Sequence, residues 1–431
     1  MALDSEEFRQ RREKREQLRK IRQRQQKRLI IGLCAAAAVL IACGILIFAM
    51  TGNHGAPTPT QGESDPQAAV QTEPQTQQTQ PPQEDTTVIT LAAAGDLNIT
   101  DKTVAAGGTA FNYTNTFLDV MPLLANADLT VLNFEGNLFG HPYGKETASA
   151  PQTMVDALRL AGVDMVQVAN SRAISNGIAG LTMTLQNLRT GGLEPVGAFA
   201  TREEFRKSGG YTLCEIRGVK IAIVAFTKGM DGMALPEGSE DCVNLLYRDY
   251  SSTYQSVDRD GITEVLRAAA EEKPDVTIAL LHWGSEYNDL KSDSQEAIKN
   301  LMFREGVDAI IGTHPHYVQK MEFNQDAGTF VAYSLGDFFS DGERAGTEYS
   351  VVLELEITKD HKSGQTRITG YSYTPIYSVA GTDGLLRVVR LEPAIKAYQN
   401  GHVESVTEEV YKDMVYAMER IEARIHPKEE S

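Results

Sequence analysis

From Thr87 onward the chain alternates short, dense apolar runs with stretches whose apolar residues recur every three or four positions. The runs predict buried strands over Val88–Ala94, Asp128–Leu132, Val163–Val168, Val276–Leu281, Val307–Ile311 and Val331–Leu335. The periodic stretches predict helices over Met154–Leu160, Leu181–Leu188, Ile262–Ala270 and Gln295–Phe303, with Gly191-Gly192 and Pro274 as stop signals. Arg217-Gly218 separates Tyr211–Ile216 from Lys220–Phe226 and marks a hairpin, and Val351–Ile357 with Thr366–Tyr373 predicts antiparallel strands. After Thr382 the pattern turns helical and ends in a charged amphipathic stretch from about Glu404 to Ile425. βα units mixed with hairpins predict an α/β protein built as a layered sandwich, and no internal repeat is present.

Two segments before Thr87 break this pattern. Leu29–Met50 is 22 residues without a charge, enough to cross a bilayer as a helix. The 28 residues before it hold eleven Lys or Arg against five Asp or Glu, which places the N-terminus in the cytoplasm and the rest outside. Leu40-Ile41-Ala42-Cys43 resembles a lipoprotein cleavage box with Cys43 as the acylated residue. Gly44–Met50 stays apolar, however, and no small-residue cleavage site follows it, so the expectation is an uncleaved anchor. The next segment is rich in Gln, Thr, Pro and Glu and has too few apolar side chains to offset the entropy of ordering. The predicted organisation is therefore a basic cytoplasmic segment (1–28), a transmembrane anchor (29–50), a disordered linker (51–86), a main domain (87–382) and a helical extension (383–431).

The chain carries −17, and its first 28 residues carry +6, which leaves −23 on the remainder. That balance excludes nucleic acid as a partner and admits an anionic polymer only where cations or a local basic patch intervene. Cys34 and Cys43 fall in the apolar segment. Cys214 and Cys242 lie beyond it, where an oxidising exterior permits a disulfide and two free buried thiols fit the sequence equally.

Chemistry concentrates where the predicted strands end. The strand before Gly312 delivers His314-Pro315-His316, with Pro315 fixing the backbone between two imidazoles, and the strand before it delivers His282. Asp96, Glu135 and Asn170 stand at the ends of three others. Loops after the carboxyl ends of parallel strands are where α/β sheets bind ligands. Taken singly, each residue has an ordinary explanation as a cap, a turn or a core histidine. Together, carboxylate, amide and imidazole suit a divalent metal such as Mn, Fe or Zn, and a pair of metals would clamp a phosphoryl oxygen.

Several stretches carry a family likeness: Ala94-Gly95-Asp96, Asn133-Phe134-Glu135, Lys145 with Ala150-Pro151, Ala169-Asn170, His282-Trp283-Gly284-Ser285-Glu286-Tyr287, Gly312-Thr313-His314-Pro315-His316 with Gln319, and Tyr333-Ser334-Leu335-Gly336-Asp337-Phe338. On these residues the chain resembles the CapA-type proteins of poly-γ-glutamate capsule synthesis, which share the calcineurin-like metallophosphatase fold. The resemblance implies a four-layer α-β-β-α sandwich with a metal site at one rim, held by Asp96, Glu135, His282, His314 and His316. Glu286 is then expected to orient a ligand or to act as a catalytic base. Asn133, Asn170, Arg172, Trp283, Tyr287 and Asp337 are expected to contact substrate. The implied partners are an anionic envelope polymer, the membrane and capsule-synthesis membrane proteins.

The chain departs from that family at one loop. The family pattern Ala-Asn-Asn-His-Ala-Leu-Asp-x-Gly stands here as Ala169-Asn170-Ser171-Arg172-Ala173-Ile174-Ser175-Asn176-Gly177. In related phosphoesterases the Asn-His pair supplies a metal ligand and a proton donor, and Arg172 does not titrate near neutral pH. Its guanidinium would instead hold a carboxylate or phosphate through two hydrogen bonds, or pair with a nearby acid such as Asp337. Asn98 occupies a position where phosphoesterases outside the family often carry a histidine ligand, and Asp337 replaces an asparagine. Two functions follow as expectations, a binding protein of the capsule or envelope whose catalysis is lost, and an active metal-dependent hydrolase.

Overall fold

The structure is a computed structural model that describes residues 85–402 and 406–427. The basic segment, the predicted anchor and the body of the linker lie outside the described residues. Among those described, no helix is long and apolar enough to cross a membrane. All of the described residues belong to one unit, Glu84–Ser431.

Two sheets organise the chain. Strands β1 (Thr86–Asn98), β2 (Leu129–Glu135), β3 (Met165–Gln167) and β4 (Glu194–Val196) run parallel. The second sheet follows in sequence, from β5 (Tyr211–Ile216), β6 (Val219–Thr227), β7 (Val276–His282), β8 (Ala309–Thr313), β9 (Met321–Asn324) and β10 (Thr329–Ala332), in the order β5-β6-β7-β8-β10-β9. The chain then returns to the first sheet. There β11 (Asp337–Phe339) pairs with the end of β1, and β12 (Tyr349–Asp360), β13 (Thr366–Ala380) and β14 (Leu386–Arg390) extend it as β14-β13-β12-β1-β2-β3-β4.

Side-chain alternation decides which face each strand residue takes. Ala92, Ala94, Leu132 and Phe134 pack with Met154, Val155, Leu181 and Leu185 of the helices Gln152–Ala161 and Gly177–Gly191. Ala222, Val224, Phe226, Ala279 and Leu281 pack with Ile262, Leu266, Ile298 and Met302 of the helices Arg259–Glu271 and Asp293–Arg304. The alternate residues Leu91, Ala93, Val131, Ile221, Ile223, Ile278 and Leu280 are equally buried, so these faces of the two sheets meet each other. The result is a mixed α/β fold with helices on the outer face of each sheet.

Helix ends follow local chemistry. Ser292 and Gln295 form a reciprocal capping box ahead of Asp293–Arg304, and the Asp258 carboxylate accepts from the Gly261 N–H at the start of Arg259–Glu271. The region after Thr382 is not wholly helical, because β14 adds an edge strand to β13. The helices Leu391–Gln399 and Glu408–Ile425 come next, and the second buries Met414, Ala417, Ile421 and Ile425 as one stripe. The first strand starts at Thr86, one residue inside the predicted linker. Cys214 and Cys242 are both buried, and no disulfide joins them.

Candidate metal centre

Parity and one bulge bring the site together. In β1 the register with β2 shifts between Ala94 and Asp96, so Ala94 and Leu97 both face the helices while Asp96 turns towards the second sheet. A side chain at Gly95 would meet the Gly336 carbonyl oxygen at 1.7 Å, so this bulge requires glycine. Across it the Asp96 N–H donates to that same oxygen at 3.0 Å. On β2, Asn133 and Glu135 share the inward face, opposite Leu132 and Phe134. On β7 the inward face carries His282, and Trp283, one residue on, takes the other face.

The resulting cluster is buried. Asp96 and His282 are 0% exposed, and Glu135, His314 and His316 are no more than 7% exposed. Asp96 Oδ1 accepts from Asn133 Nδ2 at 2.5 Å and its Oδ2 accepts from the His314 N–H at 3.0 Å. His282 Nε2 lies 3.0 Å from Ser171 Oγ and 3.7 Å from Glu135 Oε1. Its Nδ1 lies 3.2 Å from Thr313 Oγ1 and 3.9 Å from Asp96 Oδ1. His316 Nδ1 sits 2.7 Å from Asp337 Oδ1 and 3.6 Å from Asp96 Oδ2. His314 (φ 93°), His316 (φ 60°) and Tyr287 (φ 57°) all adopt left-handed backbone, which L side chains resist and which recurs at functional sites.

Burial sets the charges. It lifts the Asp96 carboxyl to about 6, and it lifts Glu135 to about 8 with help from the neighbouring Asp96 charge. Burial also holds His282 and His314 well below the usual imidazole range, so both are neutral. For His316 burial works the same way, but the Asp337 carboxylate overrides it and holds this imidazole well above its usual value.

Whether this cluster suits a metal can be judged from its unsatisfied atoms. Glu135 Oε2 and His314 Nδ1 are buried and have no hydrogen-bond partner. Orphaned buried acceptors are costly and rare in folded proteins. Glu135, His282 and His314 offer ligand atoms all within 4.8 Å of one another, as do Asp96, Glu135 and His316, and Glu286, His314 and His316. Glu135, His314 and His316 each belong to two of these groups. The residues present fit a divalent metal.

The other predicted residues fall into different places. Asn133 Oδ1 accepts from Asn170 Nδ2 at 2.9 Å, while Asn170 Oδ1 accepts from the Arg172 N–H at 3.0 Å. Both amides, expected to contact substrate, are buried and brace the cluster. Trp283 is likewise buried. Parity turns its ring into the core, where it stacks on Tyr333 and donates Nε1–H to the Tyr333 carbonyl at 2.8 Å. Asp337 is buried against His316, and Asn98 hydrogen-bonds its carboxylate. Arg172 pairs not with Asp337 but with Asp231, at 2.9 Å. Glu286 is exposed at the rim, and Tyr287 stacks on His316 with ring centres 5.3 Å apart.

Beside the cluster lies a cavity of about 250 Å³ lined by Ser171, Lys228, Asp231, Tyr254, Glu286 and His314. Lys228 and Ser171 were not among the predicted site residues. Lys228 follows β6 as His282 ends β7, so the strand-end rule finds it once β6 is taken one residue further, to Thr227.

The sequence model of the family described as Bacterial capsule synthesis protein PGA_cap matches residues 90–342. The chain belongs to this family. It is 27% identical over 256 residues to the capsule biosynthesis protein CapA of Bacillus anthracis, covering 56% of this chain and 57% of that protein. It is 25% identical over 252 residues to the PGA biosynthesis protein CapA of Bacillus subtilis (strain 168), covering 57% and 61%. The chain thus spans about three-fifths of the length of these curated relatives. Among solved structures it is similar to the calcineurin-like phosphoesterase YfkN from Bacillus subtilis, with TM-score 0.42, 16% identity, and coverage of 77% of this chain and 99% of that one. It is also similar to a phosphatase from Mycoplasma pneumoniae, with TM-score 0.43, 15% identity, and coverage of 68% and 94%. All the candidate ligands fall inside the matched residues. The helix Glu408–Ile425 falls outside them, yet Arg420 and Arg424 bond Asp289 at 3.0 and 3.3 Å, in the loop that follows His282.

Proposed function

We propose that this protein serves the assembly, export or anchoring of an anionic capsule or envelope polymer, and that it does so by binding rather than cleaving it, at a rim that holds divalent metal. The observation that carries the metal is the pair of orphaned ligand atoms, Glu135 Oε2 and His314 Nδ1, inside a buried cluster of three histidines and three carboxylates. Asp96, Glu135, His282, His314 and His316 would hold the ions. When bound, they supply positive charge that attracts and polarises an anionic oxygen. Asn133 and Asn170 keep the carboxylates oriented, and the Asp337–His316 pair fixes that ring. The proposed placement is extracellular, on the anchor 29–50 and the linker 51–86, near capsule-synthesis membrane proteins.

The loop Ser171-Arg172 favours binding. Arg172 cannot supply a proton, and Ser171 Oγ is directed at His282 Nε2. A second reading, a metal-dependent hydrolase, is favoured by Glu286, whose carboxyl lies within 4.8 Å of ring nitrogens of His314 and His316 and lines the adjacent cavity. Metal content of the purified full chain, measured by mass spectrometry after dialysis, tests the metal. The unmodified protein should retain a transition metal, and His282→Asn should lose at least half of it with far-ultraviolet circular dichroism unchanged. Equal content in both proteins would remove His282 from the ligand set. Release of fragments from the polymer by the metal-loaded protein, lost in Glu286→Gln, would favour the hydrolase.

A further inference from the structure

Lys228 is a half-buried cation in the wall of that cavity. Its N–H donates to the His282 carbonyl at 2.8 Å, which sets it at the strand-end rim where the ligand cluster stands. Its ammonium donates to the Gly284 carbonyl at 2.7 Å and lies 4.5 Å from the centre of the Tyr254 ring. Among the described residues no carboxylate comes within ion-pairing distance of it; Asp231 and Glu286 act on it only from further away. Burial pushes its pKa down, and those two acids pull against that shift. An ammonium has three donors, so two are left for a ligand in the cavity it lines.

The other charges around that cavity have partners or another direction. Arg172 and Asp231 are engaged with each other at 2.9 Å. Glu286 is placed toward the ring nitrogens of His314 and His316. His314, whose Nδ1 is the orphaned buried atom, forms part of the cavity wall, so a small oxyanion in this space would have Lys228 on one side and the cluster on the other. Removing part of an ammonium from water is costly, and an anionic ligand in direct contact offsets that cost more than Asp231 and Glu286 do from further away.

We propose that Lys228, and not Arg172, binds the oxyanion of the ligand, a carboxylate or phosphate oxygen held in the cavity beside His314. This deepens the reading above, since it rests on the cluster as a metal centre and names the side chain that completes its anion site. The test uses the full chain, both Mn²⁺-loaded and chelator-stripped, titrated calorimetrically with inorganic phosphate and separately with glutamate, with metal content measured on each sample. Phosphate or glutamate should bind the loaded protein, and which of them does so separates a phosphoryl from a carboxylate ligand. Lys228→Met should weaken that binding about tenfold or more with metal content unchanged, since a charge-assisted hydrogen bond is lost. Lys228→Arg should keep most of it, and Arg172→Ala should change it by less than about threefold. Unchanged affinity in Lys228→Met, loss of metal together with the anion, or failure of the unmodified protein to bind either anion overturns the proposal. If the unmodified protein retains no metal, the metal reading fails on its own, and the same comparison on stripped protein still decides for or against Lys228.

Discussion

Replacing Glu135 by glutamine separates what this acid does for the metal from what it costs the fold. Without metal, burial holds its carboxyl at about 8, against 4.5 for the free side chain. The folded state therefore keeps a proton that the unfolded chain has lost. The stabilising effect of that difference is complete below about 4.5 and is lost as pH rises towards 8. Within that window each pH unit removes about 1.4 kcal/mol, so on the order of 3 kcal/mol separates about pH 5 from about pH 7.5. In Glu135→Gln the amide keeps the shape and has no proton to lose, so this dependence disappears. Asp96 and His316 contribute slopes of their own, and because Glu135 interacts with both, the difference between the two profiles reports Glu135 together with its effect on these two neighbours. Urea denaturation of chelator-stripped protein across that range should show the Gln variant gaining on the parent as pH rises. With metal present the order should reverse, because the variant lacks the charged Oε2. Parallel profiles for the two stripped proteins would refute the burial argument, and unchanged metal retention would refute the ligand assignment.

Two further substitutions probe the surroundings. The Arg172–Asp231 pair is substantially exposed, with side-chain exposures of 43% and 35%. Arg172→Ala should therefore cost less than about 1 kcal/mol in urea denaturation, and a larger loss would give the pair a structural role that exposed ion pairs rarely have. The Arg424 side chain is 8% exposed, bonds Asp289 and lies over Tyr317 at 4.7 Å, one residue past His316. Arg424→Leu should quicken hydrogen exchange in residues 285–290 and 314–318 and speed metal loss to a chelator; unchanged exchange there would mean the C-terminal helix does not steady the site.

Much of the architecture is readable from periodicity alone, because buried parallel strands are nearly pure apolar runs. The strands ending at Asp96, Glu135, His282 and His314 were all expected, with ends displaced by a few residues. Short pieces such as Glu194–Val196 and Met321–Asn324 carry too few residues to show a period, and they form by pairing with the equally short Met165–Gln167 and Thr329–Ala332. β14 was hidden for a similar reason. It is half-buried on an edge, and Arg387 and Arg390 give it the look of a polar turn.

The site is harder to read, because adjacent residues in a strand point to opposite faces and a motif does not say where the strand ends. His282-Trp283 looked like two site residues, and parity makes one a ligand candidate and the other core. Gly312 illustrates how far this reaches. A side chain there would meet the Tyr333 carbonyl oxygen at 2.1 Å and the Trp283 Nε1 at 2.5 Å, so the glycine two residues before His314 is required by the Tyr333 backbone together with the tryptophan after His282. Arg172 was conspicuous because it replaces a histidine, yet its role depends on Asp231, 59 positions away, in a loop with no signal of its own. Lys228 was inconspicuous because lysine after a strand is usually a solvated cap. What singles it out is its place in the cavity beside His314 with no ion-pair partner among the described residues, and that is a property of the packed chain which no local pattern records.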